Sequence, residues 1–526
     1  MENSKRRKAF GITRRETLGA LSLGAAALLA ETPGAGAGAA GSLPRCSPAE
    51  AGIDPAGIHA FVNAADRISA SPEMKTDRTP PGLHSLMLLR HGKVAAEGWW
   101  HPYAARHPHM LYSLSKSFTS SAVGLAISEG LLNVEAPVTS FFPDRLPSKV
   151  SENLAAMKVR HLLSMSTGHE KDATGGTVSA PDGDWARAFL ALPVPREPGS
   201  LFVYNSAATY MLSAIVQKLS GVTVLDFLTP RLFRPLGFDR PTWSTCPKGI
   251  NTGGWGLSIR TEEIARFGQL YLQGGLWKGR RVLPPDWVAD ATTKKISNGT
   301  DANSDWAQGY CYQFWRCRHG AFRGDGAFGQ YCVVMPEQDA VLAITSGLND
   351  MQGVLNLVWE HLLPAIRAGS GGVDSPSSAA DPLEARLRQL AIPPPDGVPR
   401  SKAAEPVSGK VYHFQANPQK LERLSVSFSG SDGRLALLDE KGDRTVRFGL
   451  GRWVETSAPI ADQPNAKAAA RGAWSDPATL RIRICFFETP FIQTVTLNFK
   501  DNEVHFSVDG NVGGPPSSPL IGQVSA

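Results

Sequence analysis

Between residues 42 and 367, segments whose apolar residues recur at strand spacing alternate with segments whose apolar residues recur at helical spacing. Residues 86–100 predict a β-hairpin, because two apolar runs flank a His-Gly turn. Apolar residues then recur at helical spacing from Leu114 to Ala126, and this pattern stops at Gly130. The same criteria predict helices over 159–165 and 209–219 and strands over 331–335 and 339–346. The mixture predicts an α/β (α+β) fold for residues 42–367.

The composition changes after residue 367. Residues 368–407 contain a Gly-Ser-Gly-Gly segment and a Pro-Pro-Pro run on either side of one short predicted helix, 382–390, which is typical of a linker. Residues 408–526 carry short apolar runs between turn residues, with strands predicted over 424–429, 434–438, 445–450, 480–486, 493–499 and 504–508. This spacing predicts a small all-β C-terminal domain, either a sandwich or a barrel.

The first 41 residues predict an export signal. Basic residues and a Thr-Arg-Arg-Glu segment precede a weakly apolar run, residues 18–30, and small residues suited to a signal peptidase follow. The paired arginines are typical of a twin-arginine signal. Thr17 and Gly19 depart from that pattern, so a Sec signal stays open. The run is too short to span a bilayer. We therefore expect bacterial export and a periplasmic or secreted mature chain without a membrane span.

Charge and cysteine content exclude further classes of function. The formal net charge is +6, and it falls to +3 without residues 1–41, which hold six basic and three acidic side chains. That is too small for a charge-driven nucleic-acid binder. The six cysteines show no Cys-x-x-Cys spacing, so no metal cluster is expected. Disulfides and free buried thiols both stay open, since export permits disulfides but a chain of this size does not need them.

A Ser-x-x-Lys tetrad, Ser113 to Lys116, opens the helix predicted after it. Residues three apart lie on one helical face, so the two side chains are predicted neighbours. A lysine held neutral by burial or by nearby positive charge can take a proton from the serine hydroxyl. Backbone N–H groups at the helix start can stabilise an oxyanion. Taken alone, the tetrad fits equally well an ordinary N-cap serine at a solvated helix end.

Six segments together resemble the serine β-lactamase-related hydrolases, a family that joins class C β-lactamases, D-Ala-D-Ala carboxypeptidases and some esterases. The segments are 84–90, 112–118, 159–168, 198–204, 261–275 and 329–336. The resemblance covers about residues 50–365. It implies a β-lactamase/transpeptidase-like antiparallel sheet with a helical lobe that supplies the reactive residues.

The resemblance also implies roles for individual residues. Ser113 is the implied nucleophile, and Lys116 and Tyr204 share the role of base, with a Tyr204 phenolate favoured by the adjacent ammonium. Ser206 stands where the family's Tyr-x-Asn motif has asparagine, so it can donate a hydrogen bond to substrate but lacks the amide. The backbone N–H of Ala327 is expected to complete an oxyanion hole with that of Ser113.

The family's third motif, Lys-Thr-Gly or His-x-Gly, corresponds to residues 324–329. The cation is missing there, and Asp325 adds a negative charge. Gly324, Asp325 and Gly326 are expected to bind substrate, and to favour neutral esters or amides over carboxylates. The same stretch spells Gly-x-Gly-x-x-Gly, but a predicted strand follows it instead of a helix, which excludes a dinucleotide loop.

Taken together, these features predict an exported serine hydrolase that forms an acyl-enzyme on Ser113. Its substrate is expected to be a small-molecule ester, amide or peptide, with esters favoured and with no metal or cofactor required. A β-lactamase or D-Ala-D-Ala peptidase is one alternative. A catalytically silent binding protein on the same scaffold is an alternative from another class.

Overall fold

The computed structural model describes residues 42–68, 82–366, 382–460, 463–512 and 518–524. The predicted export signal, residues 1–41, lies outside the described residues, as does the first part of the predicted linker. From Leu43 onwards the chain forms one compact unit that contains two different β-architectures.

The strands in chain order are β1 (Leu83–Arg90), β2 (Lys93–Trp99), β3 (His109–Met110), β4 (Thr242–Trp243), β5 (Leu257–Ile259), β6 (Leu276–Trp277), β7 (Arg280–Arg281), β8 (Trp315–Arg316), β9 (Phe322–Gly326), β10 (Gln330–Met335), β11 (Ala340–Ser346), β12 (Val411–Phe414), β13 (Leu421–Ser429), β14 (Asp432–Asp439), β15 (Gly442–Leu450), β16 (Val454–Ile460), β17 (Gln463–Asp476), β18 (Thr479–Cys485), β19 (Ile492–Lys500), β20 (Glu503–Gly510) and β21 (Leu520–Val524).

The helices are α1 (Pro55–Ala65), α2 (Ser115–Ser128), α3 (Glu152–Ala156), α4 (Val159–Leu163), α5 (Thr174–Val178), α6 (Trp185–Ala191), α7 (Ser206–Ser220), α8 (Val224–Leu228), α9 (Arg234–Leu236), α10 (Thr261–Leu272), α11 (Pro285–Thr292), α12 (Met351–Leu357), α13 (Leu363–Ala365), α14 (Pro382–Arg388) and α15 (Ala404–Val407). Short 3-10 turns cover Tyr112–Leu114, Val138–Phe141, Pro143–Arg145 and Pro336–Gln338, and π-helical turns cover Thr229–Phe233 and Val358–Leu362.

The first sheet is antiparallel, with strand order β2-β1-β11-β10-β9-β8. The predicted hairpin at its edge is confirmed, because β1 and β2 pair from Arg90 and Lys93 outwards. Apolar residues alternate between the two faces of the sheet, and every residue of β1, β10 and β11 is buried. One face packs with α2, α7 and α10, and the other packs with α1 and α12. Coverage on both faces explains why these strands are apolar throughout.

Helix α2 is buried on all sides from Ser115 to Ala126, although its sequence places an apolar stripe on one face and a polar stripe on the other. The apolar stripe enters the core between the sheet and the helical lobe. The polar stripe is not solvated: Ser117 Oγ donates to the carbonyl of Gln313 at 2.9 Å, and Ser120 Oγ donates to the carbonyl of Tyr312 at 2.8 Å. These bonds satisfy the buried hydroxyls and fix the helix that carries the tetrad.

The C-terminal strands form a barrel, which decides between the two architectures left open by the sequence. Their order is β15-β14-β13-β12-β21-β20-β19-β18-β17-β16, and a parallel pairing of β15 with β17 closes the ring through Gly449 and Arg471. Apolar side chains from alternate positions fill the interior. This closure pairs part of the edge that β15 would otherwise present, while β16 pairs with β17 alone among the described strands.

The second half of the predicted linker is packed against the first domain. Leu383, Leu390 and Ile392 are buried beside Trp100. The backbone N–H of Ile392 donates to the carbonyl of His101 at 2.8 Å. Proline-rich composition suggested a spacer here, but the spacing of its few apolar residues lets the segment contribute to a core.

The six cysteines, all within the described residues, are free thiols. Cys46 is partly exposed and the other five are buried. The Cys311 and Cys317 thiols, which lie close enough in sequence to form a disulfide, are not bonded to each other.

Two buried histidines lie where the first domain meets the barrel. His84 Nδ1 and His109 Nε2 are 3.1 Å apart, and the His84 ring stacks on Tyr103 at 3.9 Å between centroids. Burial lowers the pKa of His109 to about 4. Burial, with repulsion from His109, lowers the pKa of His84 well below its usual value. Both imidazoles are therefore neutral in the folded protein at ordinary pH.

Acid is expected to destabilise the fold through this pair. An unfolded histidine binds its proton near pH 6.5, so the unfolded state takes up protons first as the pH falls towards 4. The free energy of unfolding should drop by roughly 1.4 kcal/mol per pH unit for each such histidine. Thermal melts across this range measure the slope. His109→Gln should reduce it and the exposed control His319→Gln should not, whereas equal slopes in all three proteins would contradict the assignment.

Candidate active site

Ser113 lies in the 3-10 turn Tyr112–Leu114, directly before α2. It is partly exposed, whereas the Lys116 side chain one turn later is only 2% exposed. Lys116 Nζ donates to Ser113 Oγ at 3.0 Å, to Ser206 Oγ at 3.0 Å and to the carbonyl of Gly254 at 2.7 Å. A neutral amine at this position can still donate to two of these oxygens while its lone pair accepts the Ser113 proton.

Burial lowers the pKa of Lys116 to about 7, although the negative charges of Asp172 and Asp325 oppose the shift. A substantial fraction of the amine is therefore neutral near pH 7. A base works best when its pKa is close to the working pH. The position of Lys116 thus provides both the contact and the protonation state that a general base for Ser113 requires.

Tyr204 lies on the segment that leads into α7, and the Ser113 side chain is close enough to favour the ionised form of its hydroxyl. The Trp315 ring stacks on the Tyr204 ring at 5.3 Å between centroids, and Lys116 Nζ is 4.8 Å from the Tyr204 centroid. The site therefore brings together the serine, the lysine and the tyrosine that the sequence analysis selected.

The protonation state of Tyr204 differs from the expectation. Burial, with the negative charge of Asp325, raises the pKa of its hydroxyl well above the usual range, and the contact with Ser113 only partly opposes this. The adjacent lysine does not rescue a phenolate, because its own charge is partial near pH 7. Tyr204 is consequently a neutral phenol, suited to pass a proton on rather than to act as the resting base.

Ser206 is the first residue of α7, and its hydroxyl accepts a hydrogen bond from Lys116. It therefore helps to hold the base, a role that sequence reasoning did not assign to it. Asn205 does not replace the motif's missing asparagine: it is fully buried and caps α7, with its Oδ1 accepting from the N–H of Ala208 at 3.3 Å.

Asp325 does not present a free negative charge to substrate, contrary to the expectation. Its side chain is buried, and Arg323 Nε and Nη2 each lie 2.9 Å from its Oδ2. Arg323 is itself fully buried and donates to the carbonyl of Asp305 at 2.8 Å. Arg323 and Asp325 alternate with glycines along β9, so the Asp325 carboxylate is paired with a positive charge from the same strand.

Gly324 and Gly326 are buried against the start of α2, and their contact with substrate stays a prediction. A Cβ on Gly324 would lie 2.5 Å from both Leu114 Cδ1 and Ser117 Oγ. A Cβ on Gly326 would lie 2.0 Å from the carbonyl oxygen of Leu111. The absence of a side chain at these two glycines allows β9 to approach the start of α2.

Ala327 follows this close approach, at the turn between β9 and β10, and is partly exposed. The same Cβ on Gly326 would lie 3.1 Å from the backbone nitrogen of Ser113, so the turn begins beside that N–H. The location suits the oxyanion role predicted for the N–H groups of Ala327 and Ser113, and the role itself stays a prediction.

Sequence reasoning missed two residues at the site. The Gly254 carbonyl accepts from the base, and the exposed Asp172 carboxylate acts electrostatically on both Lys116 and Tyr204. The Gly-Gly pair at 253–254 was a usable signal, because Gly253 has φ +65° and a Cβ on Gly254 would lie 2.8 Å from the Ser206 carbonyl oxygen.

The described residues contain no group of three or more histidine, cysteine or acidic side chains arranged to hold a metal ion. None of the described helices is by itself long and apolar enough to cross a membrane. One bent pair, Ser206–Ser220 with Val224–Leu236, has the required length and composition across a 69° bend.

The fold is an antiparallel sheet with a helical lobe, and its site holds a serine hydrogen-bonded to a buried lysine beside a tyrosine. Together these features define a serine hydrolase of the Ser-x-x-Lys type. The chain belongs to the Beta-lactamase family, whose model matches residues 76–357. This match confirms the family resemblance, and the strand orders of the two sheets confirm the expected fold with its separate all-β domain at the C-terminus.

Named relatives of the chain include hydrolases. It is 27% identical to the 6-aminohexanoate-dimer hydrolase of Paenarthrobacter ureafaciens over 286 residues, which cover 51% of this chain and 73% of that protein. It is 24% identical to penicillin-binding protein 4 of Amycolatopsis lactamdurans over 313 residues, covering 52% and 80%. A solved structure titled putative 6-aminohexanoate-dimer hydrolase, from Bacillus anthracis, is 19% identical with a TM-score of 0.46, covering 57% of this chain and 84% of that one.

Proposed function

We propose that this chain is an exported hydrolase that cleaves a small-molecule ester or amide through an acyl-enzyme on Ser113, with esters favoured. The observation that carries the proposal is the 3.0 Å contact between Lys116 Nζ and Ser113 Oγ, made by an amine whose pKa is about 7. A buried amine in this state activates the serine without a metal or a cofactor.

In the first half of the reaction, neutral Lys116 takes the hydroxyl proton as Ser113 Oγ attacks the substrate carbonyl carbon. The N–H groups of Ser113 and Ala327 stabilise the oxyanion that forms. When the bond to the leaving group breaks, that group leaves with a proton passed from Lys116 through the Tyr204 hydroxyl. Water then attacks the acyl-enzyme by the same route and releases the acid and free Ser113.

The charges around Ser113 favour a substrate without a carboxylate. Arg323 is fully buried and paired with Asp325, so its charge is not available to a substrate anion. Gly324 occupies the place of the family's third-motif cation and packs on α2. The exposed carboxylate of Asp172 adds negative potential close to Lys116. A neutral ester therefore meets less repulsion in this site than an anionic peptide or β-lactam.

Asp172 also favours a second candidate, hydrolysis of an amide whose substrate carries an ammonium group. The charge of Asp172 reaches Lys116 and Tyr204, so an ammonium bound beside it would lie near the reacting carbonyl. The relative from Paenarthrobacter ureafaciens is named for a 6-aminohexanoate dimer, an amide with an amino group at one end and a carboxyl group at the other.

Covalent labelling tests the acyl-enzyme directly. Purified protein treated with a fluorophosphonate is expected to gain one adduct by intact mass, and Ser113→Ala is expected to gain none. Ser128→Ala, at the exposed far end of the same helix, is the matched control and should label like the wild type. A folded wild type that gains no adduct would support the binding-protein alternative.

A panel of substrates then separates the classes of activity. We expect an aryl ester to be turned over fastest, ahead of a linear amide with a terminal amine, a cephalosporin and a D-Ala-D-Ala peptide. Faster turnover of the amide would favour the second candidate. Faster turnover of the cephalosporin or the D-Ala-D-Ala peptide would contradict the charge argument.

Export is part of the proposal and rests on residues 1–41 alone. A reporter fused to this segment should leave the cytoplasm of a bacterial host. If the segment is a twin-arginine signal, replacing Arg14 and Arg15 with lysine together should retain the reporter inside. Continued export of that variant would indicate a Sec signal, and retention of the unmodified fusion would contradict export.

A further inference from the structure

A loop of the C-terminal barrel reaches the first domain close to Ser113. The loop, residues 486–491, joins β18 to β19. The carbonyl of Glu488 accepts from the backbone N–H of Met110 at 2.8 Å, three residues before the nucleophile. Asn511 Nδ2 donates to the carbonyls of Gly347 at 2.8 Å and Pro490 at 2.9 Å, which ties the loop to the end of β11.

The loop is held in one conformation by its own hydrogen bonds. The N–H of Phe486 donates to the carbonyl of Phe491 at 3.1 Å. Thr489, only 3% exposed, accepts from the N–H of Phe491 at 3.1 Å and donates to the carbonyl of Phe486 at 3.0 Å. Because both ends of the loop are bonded, the backbone that carries Phe491 is held in place before any substrate binds.

Phe491 continues a row of aromatic rings that begins at the nucleophile. The Phe491 and Phe328 centroids are 5.8 Å apart, and the Phe328 and Tyr112 centroids are 5.4 Å apart in an edge-to-face arrangement. All three rings belong to partly exposed residues. Tyr112 immediately precedes Ser113, and Phe328 immediately follows Ala327.

The backbone of this row is strained in a way that suits a binding site. Tyr112 has φ +49° and Phe328 has φ +67°, values that bulky side chains rarely adopt. Such conformations persist where the surrounding structure imposes them, and they concentrate at functional sites. The two strained residues flank the two N–H groups proposed to bind the oxyanion, so their rings are close to the substrate carbonyl.

We propose that Phe491, contributed by the barrel, completes an apolar subsite with Phe328 and Tyr112 that selects substrates with an apolar acyl chain. This inference rests on the proposed hydrolase function. The acyl group stays at the oxyanion donors through both halves of the reaction, whereas the leaving group departs past Tyr204. The aromatic row therefore contacts the acyl side, and the barrel takes part in substrate choice.

A nearby groove does not serve this purpose. Residues 487–489 of the loop also line a groove of about 920 Å³ between the two domains. Its lining does not include Ser113, Lys116 or Tyr204, and its charged side chains include the ion pairs Arg106–Glu455 and Lys467–Glu488. An apolar acyl chain finds a better match in the aromatic row than in a groove that carries these ion pairs and whose lining lacks the reactive residues.

The test compares acyl-chain lengths on one leaving group. The 4-nitrophenyl esters of acetate, butyrate and hexanoate are measured with wild type, Phe491→Ala, Phe491→Leu and Phe414→Ala. Phe414 is the matched control, since it is a partly exposed barrel phenylalanine that packs on Phe506 within the barrel. Thermal melts and fluorophosphonate labelling of every variant establish that it is folded and that Ser113 reacts.

Phe491→Ala is expected to lower the ratio of kcat/KM for hexanoate to that for acetate by about tenfold, mainly through KM. Phe491→Leu should recover part of this ratio, and Phe414→Ala should leave it unchanged. An unchanged ratio in Phe491→Ala, or an equal loss on all three esters, would overturn the inference while labelling still succeeds. Failure of the wild type to label would instead remove the proposed function itself.

Discussion

Replacing Lys116 with methionine is expected to lower kcat/KM for an aryl ester by about 10²- to 10⁴-fold. Methionine keeps much of the length and apolar body of lysine but has no amine to take the Ser113 proton. It also leaves the Gly254 carbonyl and Ser206 Oγ without the donor they now share. Steady-state kinetics and the rate of fluorophosphonate labelling should fall together, because both need an activated serine.

The matched control is Lys218→Met near the end of α7, an exposed lysine whose Nζ lies 3.4 Å from Asp144. It should leave kcat/KM unchanged, since the side chain is remote from Ser113. If Lys116→Met kept wild-type activity, or if Lys218→Met lost as much, the assignment of the base would be wrong.

The pH profile provides an independent check on the same residue. The pKa of Lys116 is lowered to about 7, and only the neutral amine is a base. In the wild type, kcat/KM should therefore rise as the pH increases through about 7 and then level off. A rise centred near the ordinary pKa of lysine would show that the amine is not buried in solution as it is in this structure.

Tyr204→Phe is expected to lower kcat/KM by about 10²-fold, at the lower end of the loss expected for Lys116→Met. The phenylalanine keeps the stacking on Trp315 and removes the hydroxyl that lies near Ser113. Without it, the proton reaches the leaving group less directly. The rise of kcat/KM with pH near 7 should persist in this variant, because the pKa of Lys116 rather than that of Tyr204 sets it.

Tyr210→Phe is the control for loss of a phenol. Tyr210 is on α7, and its hydroxyl contacts Cys246 Sγ at 3.4 Å, away from Ser113. That variant should keep wild-type kinetics. If the rise of kcat/KM near pH 7 disappeared in Tyr204→Phe, the tyrosine would take part as a resting base, in the role that the sequence analysis had it share with Lys116. Full activity of Tyr204→Phe would exclude it from proton transfer.

Local patterns predicted the elements that carry the nucleophile. Helical spacing from Leu114 to Ala126 and the glycine after it predicted α2, and the structure confirms the helix as Ser115–Ser128. The hairpin of β1 and β2 and the strands β10 and β11 followed from equally local signals. Such signals work because each depends on residues a few positions apart, whose geometry is set before the chain is packed.

Signals in the barrel were weaker. Strands β12, β16, β17 and β21 were missed. Strand β17 is rich in alanine and contains proline and glycine, which favour strands poorly. It forms a long strand because β16 and β18 pair with it on its two sides. Pairing partners distant in sequence override local preference in a sheet.

At the site, the residue types were predictable from the motifs, whereas their charge and protonation states were not. The printed sequence determines that a serine and a lysine lie one turn apart, that the third motif lacks its usual cation and that an aspartate stands in it. Only the fold decides that Arg323 pairs with Asp325, that burial lowers the pKa of Lys116, and that a barrel phenylalanine stands in the aromatic row beside Ser113. Spacing along a chain is a covalent property, whereas burial and charge pairing depend on which distant segments pack together.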